Sequence, residues 1–196
     1  TMPAPGGPSF PCGHGKSDTH AVTLSDGRPN PHQSAGTPYA TVTAAQIEAM
    51  LASPPEVQDK LTQAPWFIPS EHAAADARSH DAQRQHGRFW WLTLDIDEGH
   101  PPFDVLDAAL CEILGDVRRL IYSTASATPE KPRWRALIPL DTWLSGEDFT
   151  DTQTAFFDAL EARGIKPDRA LARPGQCVFL PCRTGDFYQH ALREGC

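Results

Sequence analysis

Long apolar runs are missing from this chain of 196 residues. No stretch approaches the roughly 20 consecutive apolar residues that a membrane-spanning helix needs, and no secretory signal pattern opens the sequence. A Walker A pattern, G-x-x-x-x-G-K-[ST], is also absent, so this sequence contains no P-loop for an ATP-driven motor. From these absences we expect a cytoplasmic protein that has no membrane partner.

An excess of positive charge and a regular cysteine pattern are lacking as well. The formal net charge of -8 argues against a protein that coats nucleic acid indiscriminately. The five cysteines are odd in number and irregularly placed, which argues against a disulfide framework and fits a reducing compartment. Most of the Lys and Arg residues fall in the second half of the chain, so a local basic groove is compatible with the acidic total.

The first 40 residues differ in composition from the rest. They are rich in Pro, Gly, Ser and His and show little apolar periodicity, which predicts a flexible N-terminal arm over residues 1–40. Residues 41–196 are predicted to form a single domain. It opens with a helical extension: Thr43 and Gln46 form a capping-box pattern for a helix through Leu51, and an Ala-rich stretch predicts a second helix over residues 71–85.

From Phe89 onward the hydrophobic pattern becomes regular. It predicts a strand at 89–96, a helix at 103–114, strands at 119–124 and 134–140, a helix between Ser145 and Gly164, and extended segments at 168–171 and 176–180. This order, β-α-β-β-α-β, is that of the ferredoxin-like arrangement and belongs to the α+β class. In that topology the first strand is central and lies between the third and the fourth.

The first of these strands ends in two carboxylates. Asp95 and Asp97 are two residues apart, so they share one face of the strand. Like charges held this close are costly unless one takes up a proton or a cation lies between them, and a hard divalent ion is the usual solution. The topology would place Arg133 and Arg135 on one side of the pair and Asp168 on the other. The alternative is a strand that ends in a solvated acidic turn.

Three carboxylates that face two cations are a common arrangement for phosphoryl or nucleotidyl transfer. In this interpretation Asp95, Asp97 and Asp168 are catalytic and bind two Mg2+ or Mn2+ ions. Guanidinium groups and hydroxyls nearby would hold a triphosphate. The candidate nucleotide-binding residues are Arg133, Arg135, Ser123 and Ser126. Each also has an ordinary alternative, namely surface ion pairs for the arginines and a polar loop for the serines.

Three motifs carry a resemblance to a known family. They are L-T-L-D-I-D-E-G, I-Y-S-T-A-S-A-T-P-E-K-P-R-W-R-A-L-I-P-L and D-R-A-L-A-R-P-G-Q-C-V-F-L-P. Together they resemble the archaeo-eukaryotic primase superfamily, especially the primase-polymerase domains of phages and plasmids. The likeness extends over residues 89–188. Asp95 and Asp97 match the paired acids of the first motif, and Asp168 matches the acid of the third.

The resemblance implies an RRM-like catalytic core with divalent metal and template-directed nucleotidyl transfer, as in a DNA primase or DNA polymerase of phage or plasmid replication. The implied partners are a single-stranded DNA template and nucleoside triphosphates. Because such domains often precede a helicase, a helicase domain or protein is a further implied partner. The second motif usually ends in a histidine that contacts the incoming nucleotide. Here no histidine occurs between Ser123 and Leu140, and Ala127 or Arg135 occupies the matching position.

The same residues are compatible with two other function classes. A DNA-binding replication-initiation module that has lost catalysis fits the missing histidine and predicts DNA binding without nucleotide incorporation. A metal-dependent nuclease fits the acids, because metal-bound water attacks a phosphodiester. It predicts DNA cleavage without added triphosphates.

Overall fold

The chain folds into a mixed α+β structure. A computed structural model describes residues 7–15, 21–23, 29–34, 36 and 38–196. In chain order its strands are β1 (Ser9–His14), β2 (Ala21–Thr23), β3 (Pro29–Ser34), β4 (Ala40–Thr43), β5 (Pro65–Phe67), β6 (Phe89–Ile96), β7 (Arg119–Ser123), β8 (Trp134–Leu144), β9 (Val178–Phe179) and β10 (His190–Arg193). The α-helices are α1 (Ala44–Ala52), α2 (Lys60–Gln63), α3 (His80–His86), α4 (Phe103–Leu114) and α5 (Gly146–Glu161), and a 3-10 helix covers Arg169–Ala172.

Two antiparallel sheets organise these elements. The first has the strand order β4-β1-β5-β9, the second has the order β10-β7-β8-β6, and β2 pairs with β3 in a separate ribbon. The predicted α+β class is thereby confirmed. Across the described ranges, no helix combines the length and the apolar character that crossing a membrane would require.

One apolar core connects the two sheets. Phe10 of β1, Phe67 of β5 and Trp91 of β6 meet edge to face, with ring centroids 6.0 to 6.3 Å apart. All three side chains are buried. Aromatic pairs of this kind contribute about 0.5–1.5 kcal/mol each beyond the burial of their area. The first sheet is therefore fixed against the second through β6, the strand that carries the candidate acids.

Part of the predicted N-terminal arm belongs to this core. Residues 1–6, 16–20, 24–28, 35 and 37 lie outside the described residues, so the arm prediction is not addressed there. In contrast, Ser9–His14 pairs with β4 and β5, and Phe10 is completely buried. This strand departs from the predicted flexible arm, because a single large ring anchors a segment whose composition is otherwise polar and rich in proline.

The helical extension follows the prediction in its first helix and is shorter in its second. Helix α1 begins after Thr43 and has the expected capping box. The predicted helix at 71–85 is reduced to α3, which begins after Ser79, whose side chain accepts a hydrogen bond from the Ala82 N–H. The residues before Ser79 form turns, because a side-chain cap at this position starts the helix late.

Thr43→Ala is expected to lower the free energy of unfolding by about 1 kcal/mol. The Thr43 hydroxyl accepts a hydrogen bond from the Gln46 N–H at 3.3 Å, and the Gln46 side chain accepts one from the Thr43 N–H at 2.9 Å. Alanine removes the acceptor and leaves a helix N–H without a partner. Urea denaturation measures the loss. Thr43→Ser retains the hydroxyl and should lose much less, so equal losses in the two variants would contradict the capping role.

The region after Phe89 has the predicted order of strand, helix, strand, strand and helix. Helix α4 ends at Gly115, whose positive φ of 73° suits glycine. The predicted fourth strand, however, does not extend the second sheet. The segment after Asp168 forms the 3-10 helix, and β9 pairs with β5 in the first sheet. Strand β6 is therefore last in the order of its sheet, and not central as predicted, because the segment after Asp168 forms a 3-10 helix, capped by the Asp168 side chain, in place of a pairing strand.

A disulfide joins Cys111 of α4 to Cys196. The odd number and irregular spacing of the cysteines predict no disulfide framework. The structure differs from that prediction by this one bond. The two residues are 85 positions apart in sequence, so their spacing contains no signal for the pairing. The bond attaches residue 196 to the end of α4.

Candidate functional site

Asp95, near the end of β6, forms an ion pair with Arg135 of β8. The two residues lie opposite each other in the register of the strands. Arg135 donates from both Nε and Nη2 to the same oxygen, Asp95 Oδ2, at 2.9 and 2.6 Å. The side chains are only 13% (Asp95) and 4% (Arg135) exposed. Strand register thus supplies the partner without which a buried carboxylate would be strongly destabilising.

The other oxygen of Asp95 is left without a donor. Asp95 Oδ1 is buried and has no hydrogen-bond partner among the described residues. Burial raises the pKa of this carboxyl; Arg135 opposes the rise, whereas Asp97 and Asp168 add to it. A buried acceptor without a donor costs about 1–3 kcal/mol. A proton or a bound cation at Oδ1 would remove that cost.

Asp97 lies just beyond β6 and is part of an accessible polar cluster. Its Oδ1 is 3.6 Å from Arg133 Nη1, and the same nitrogen donates to Ser126 Oγ at 3.4 Å. The side chain of Asp97 is 49% exposed. Asp97, Arg133 and Ser126 therefore present two charges and a hydroxyl to solvent beside the buried pair.

Asp168 lies on the opposite side of Asp95 from Arg135. Its N–H donates to the Asp95 carbonyl at 2.8 Å. Its exposed side chain accepts a hydrogen bond from the Ala170 N–H at 2.9 Å and so begins the 3-10 helix. The three candidate acids are thus brought to one end of β6, although Asp168 also has this capping role.

The two candidate serines are placed differently. Ser126 is exposed next to Arg133, as a phosphate contact requires. Ser123 is completely buried, and its Oγ accepts a hydrogen bond from the Gln189 N–H at 3.0 Å. Ser123 therefore ties β7 to the segment before β10, and it does not face the acids from the surface.

The two positions that match the missing histidine are both buried. Ala127 is 7% exposed, and its N–H donates to the Thr124 carbonyl at 3.0 Å in the turn after β7. The Arg135 guanidinium lies between Asp95 and the ring of Phe179, with Cζ 5.4 Å from the ring centroid. Arg135 is consequently a buried partner of Asp95. Arg133 is the more accessible of the two candidate arginines.

Lys60 is a site residue that the sequence pattern did not indicate. It begins α2, and its Nζ is 5.9 Å from the centroid of the Phe179 ring. Burial lowers the pKa of Lys60, and Arg135 lowers it further, whereas Asp97 and Asp95 oppose the change. Lys60 therefore approaches the acids from helix α2, just before β5 of the first sheet. No local pattern links it to β6, because the contact exists only once the two sheets have packed.

An open groove of about 500 Å³ extends from Asp97 and Asp168. Its other charged lining residues are Glu98, Glu161, Lys166 and Arg169. Lys166 binds Glu98 at 2.6 Å, and Arg169 binds Glu161 at 2.6 Å. Both cations of the groove are thus engaged by its glutamates, and Asp97 and Asp168 are its remaining acids.

The donor set at the end of β6 suits a hard divalent ion, because Asp95, Asp97 and Asp168 offer oxygen ligands. Within the part of the chain that the structure describes, no group of three or more His, Cys, Asp or Glu side chains is arranged to hold a metal ion. Binding by all three acids therefore requires side-chain movement. Asp97 and Asp168 are exposed, although Asp97 is paired with Arg133 and Asp168 caps the 3-10 helix, whereas Arg135 fixes the buried Asp95.

Comparison with known proteins adds no relative to these observations. None of the curated proteins searched matches the chain. No protein-family model matches it either.

Proposed function

We propose that this chain is a metal-dependent nucleotidyltransferase of the DNA primase or primase-polymerase type. The observation that carries the proposal is the convergence of Asp95, Asp97 and Asp168 at one end of β6, with the buried Oδ1 of Asp95 lacking a donor. An acidic cluster bordered by cations is the arrangement that phosphoryl chemistry uses.

The residues divide into ligands, phosphate contacts and supports. Asp95, Asp97 and Asp168 hold two Mg2+ or Mn2+ ions, which when bound activate an attacking hydroxyl and neutralise phosphate charge. Arg133 and Ser126, both accessible and 3.4 Å apart, donate to phosphate oxygens. Arg135 positions Asp95 by binding its Oδ2 and so directs Oδ1 away from the pair.

An RRM-like catalytic core is part of the proposal. The order β6, α4, β7, β8 and α5 supports it. The hydrogen bond from the Asp168 N–H to the Asp95 carbonyl places a chain segment alongside β6, where the fourth strand of such a core would lie. In this proposal that segment is a shortened counterpart of the strand.

The proposed substrates are nucleoside triphosphates and a single-stranded DNA template. The setting is the replication of phage or plasmid DNA in the bacterial cytoplasm, with a helicase domain or protein as a partner. The motifs around Asp95, Arg133 and Asp168 support this assignment. The net charge of -8 fits template contacts restricted to the cations near the acids.

The test is the incorporation of labelled nucleotides on primed and unprimed single-stranded DNA. We expect incorporation in the presence of Mg2+ or Mn2+, its loss in excess EDTA, and its recovery when Mg2+ is restored. An absence of incorporation on both templates with both ions, while DNA still binds, would refute the proposal. Cleavage of the DNA in the absence of triphosphates would instead identify a nuclease.

One observation favours a second candidate, a DNA-binding replication module without catalysis. Both positions that match the superfamily histidine are buried, one as Ala127 and the other as Arg135 engaged with Asp95. Neither presents a side chain to an incoming nucleotide in this arrangement. The incorporation assay separates this candidate from the first.

A further inference from the structure

We infer that Lys60 is a triphosphate-binding residue that reaches the site from helix α2, which precedes β5 of the first sheet. The inference deepens the proposed function and rests on it for the identity of the ligand. Lys60 belongs to neither the motif region nor the second sheet, so the site would be built by both halves of the fold.

The position of Lys60 is fixed by its neighbours in the chain. The Asp59 carboxylate accepts a hydrogen bond from the Leu61 N–H at 2.9 Å and caps the short helix. Strand β5 follows at once and pairs with β9 through Trp66 and Phe179. These contacts hold the backbone of Lys60 next to the strand whose ring its ammonium group faces.

Phe179 is itself held by both sheets. Its carbonyl accepts a hydrogen bond from the Tyr122 hydroxyl of β7 at 2.6 Å, and its ring is contacted by Lys60 of helix α2 and by Arg135 of β8. Two cations at one aromatic ring repel each other, because like charges in a partly buried place are poorly screened. An anion that approaches the Lys60 ammonium would relieve this repulsion.

The Lys60 ammonium is without a charged partner in direct contact. It makes no ion pair and no hydrogen bond with another described residue. Arg135 has Asp95, and Arg133 has Asp97. Lys60 is thus the cation at the site that is left to meet an incoming anion.

The formal charges at the site support an anion that arrives together with metal. Asp95, Asp97 and Asp168 carry three negative charges, and Arg133, Arg135 and Lys60 carry three positive ones. Two divalent cations and a triphosphate of roughly -4 charge enter with no net charge and preserve this balance. Metal ions would compensate the carboxylates, so Arg133 would be released from Asp97 and would compensate phosphate together with Lys60.

A purely structural role for Lys60 predicts something different. The contact with the Phe179 ring alone would stabilise the fold by about 0.5–1 kcal/mol. Removing it would lower the melting temperature slightly and would leave triphosphate binding unchanged. Stability and binding therefore have to be measured separately.

The experiment is titration calorimetry of the full chain with inorganic triphosphate and Mg2+, in the absence of DNA, for the wild type and three variants. Lys60→Ala is expected to weaken binding about tenfold or more, as for a lost hydrogen bond between charged groups. Lys60→Arg should remain close to the wild type. Arg84→Ala removes one positive charge from an exposed position on α3, before the start of β6, and should not change binding.

The outcomes separate this inference from the proposed function. Binding by Lys60→Ala as tight as by the wild type, or no binding by the wild type, would overturn the inference even if nucleotides are incorporated. Loss of binding in Lys60→Ala and Arg84→Ala alike would also overturn it, because general electrostatics would then be the cause. Binding that depends on Lys60 in a protein that incorporates no nucleotide would support the inference and refute the polymerase.

Discussion

Arg135→Ala is expected to lower the free energy of unfolding by about 3–5 kcal/mol. Asp95 and Arg135 are 13% and 4% exposed, so the substitution leaves a carboxylate inside the protein without its countercharge. It also removes the guanidinium that packs against the ring of Phe179. Urea denaturation at neutral pH measures the loss.

The loss should depend on pH in a defined direction. Burial already raises the pKa of Asp95 in the folded protein, and removal of Arg135 takes away the group that opposes the rise. The folded variant then binds a proton more readily than the unfolded chain does, so its stability increases as the pH falls through the folded pKa. Arg133→Ala removes an arginine from the accessible pair with Asp97 and should cost less than about 1 kcal/mol. Equal losses in the two variants would contradict the buried-pair interpretation.

Asp97→Asn is expected to reduce the rate of nucleotide incorporation about a thousandfold while the fold stays intact. Metal ions supply several kcal/mol of transition-state stabilisation, and a loss of about 4 kcal/mol corresponds to that factor. Asparagine has the shape of aspartate without its charge, and a side chain that is 49% exposed contributes little to packing. Rates at saturating Mg2+ and denaturation curves give the two readouts.

Glu98→Gln is the matched control for Asp97→Asn. Glu98 is the next acid along the chain, is exposed, and binds Lys166 at 2.6 Å. Its neutralisation should leave incorporation within a few fold of the wild type. Metal-dependent incorporation that survives in Asp97→Asn, or that is lost equally in both variants, would remove Asp97 from the proposed ligand set.

The placement of Asp95 beside Arg135 was accessible from the sequence, whereas Asp168 meets Asp95 through a backbone hydrogen bond and not through the predicted fourth strand. Strands β6 and β8 are long and apolar, so alternation along each strand and the order of the elements determine which side chains meet. Gly115 likewise predicted where α4 ends. Predictions of this kind succeed because they depend on short-range patterns and on a regular pairing of strands.

The extended segment predicted at 176–180 contains β9, but its pairing with β5, and the other contributions from the first half of the chain, were not accessible in the same way. Phe10 is one ring in a segment rich in proline, β9 has two residues, and α2 has four. Each is too short to show a period, and each is stabilised by contacts with residues far away in the chain. The sequence therefore indicated the three acids and the two arginines of β8 and of the segment just before it. It did not indicate Lys60 or its contact with the Phe179 ring.

The way in which Arg135 holds Asp95 limits the denticity of that carboxylate. Both donors converge on Oδ2, so Oδ1 alone is available to a cation. Chelation of one ion by two oxygens, or bridging of two ions through both oxygens, is therefore closed to Asp95 while the ion pair persists. In the proposed site, a carboxylate that bridges two ions through both of its oxygens would have to come from Asp97 or Asp168, and Asp95 would contribute a single oxygen.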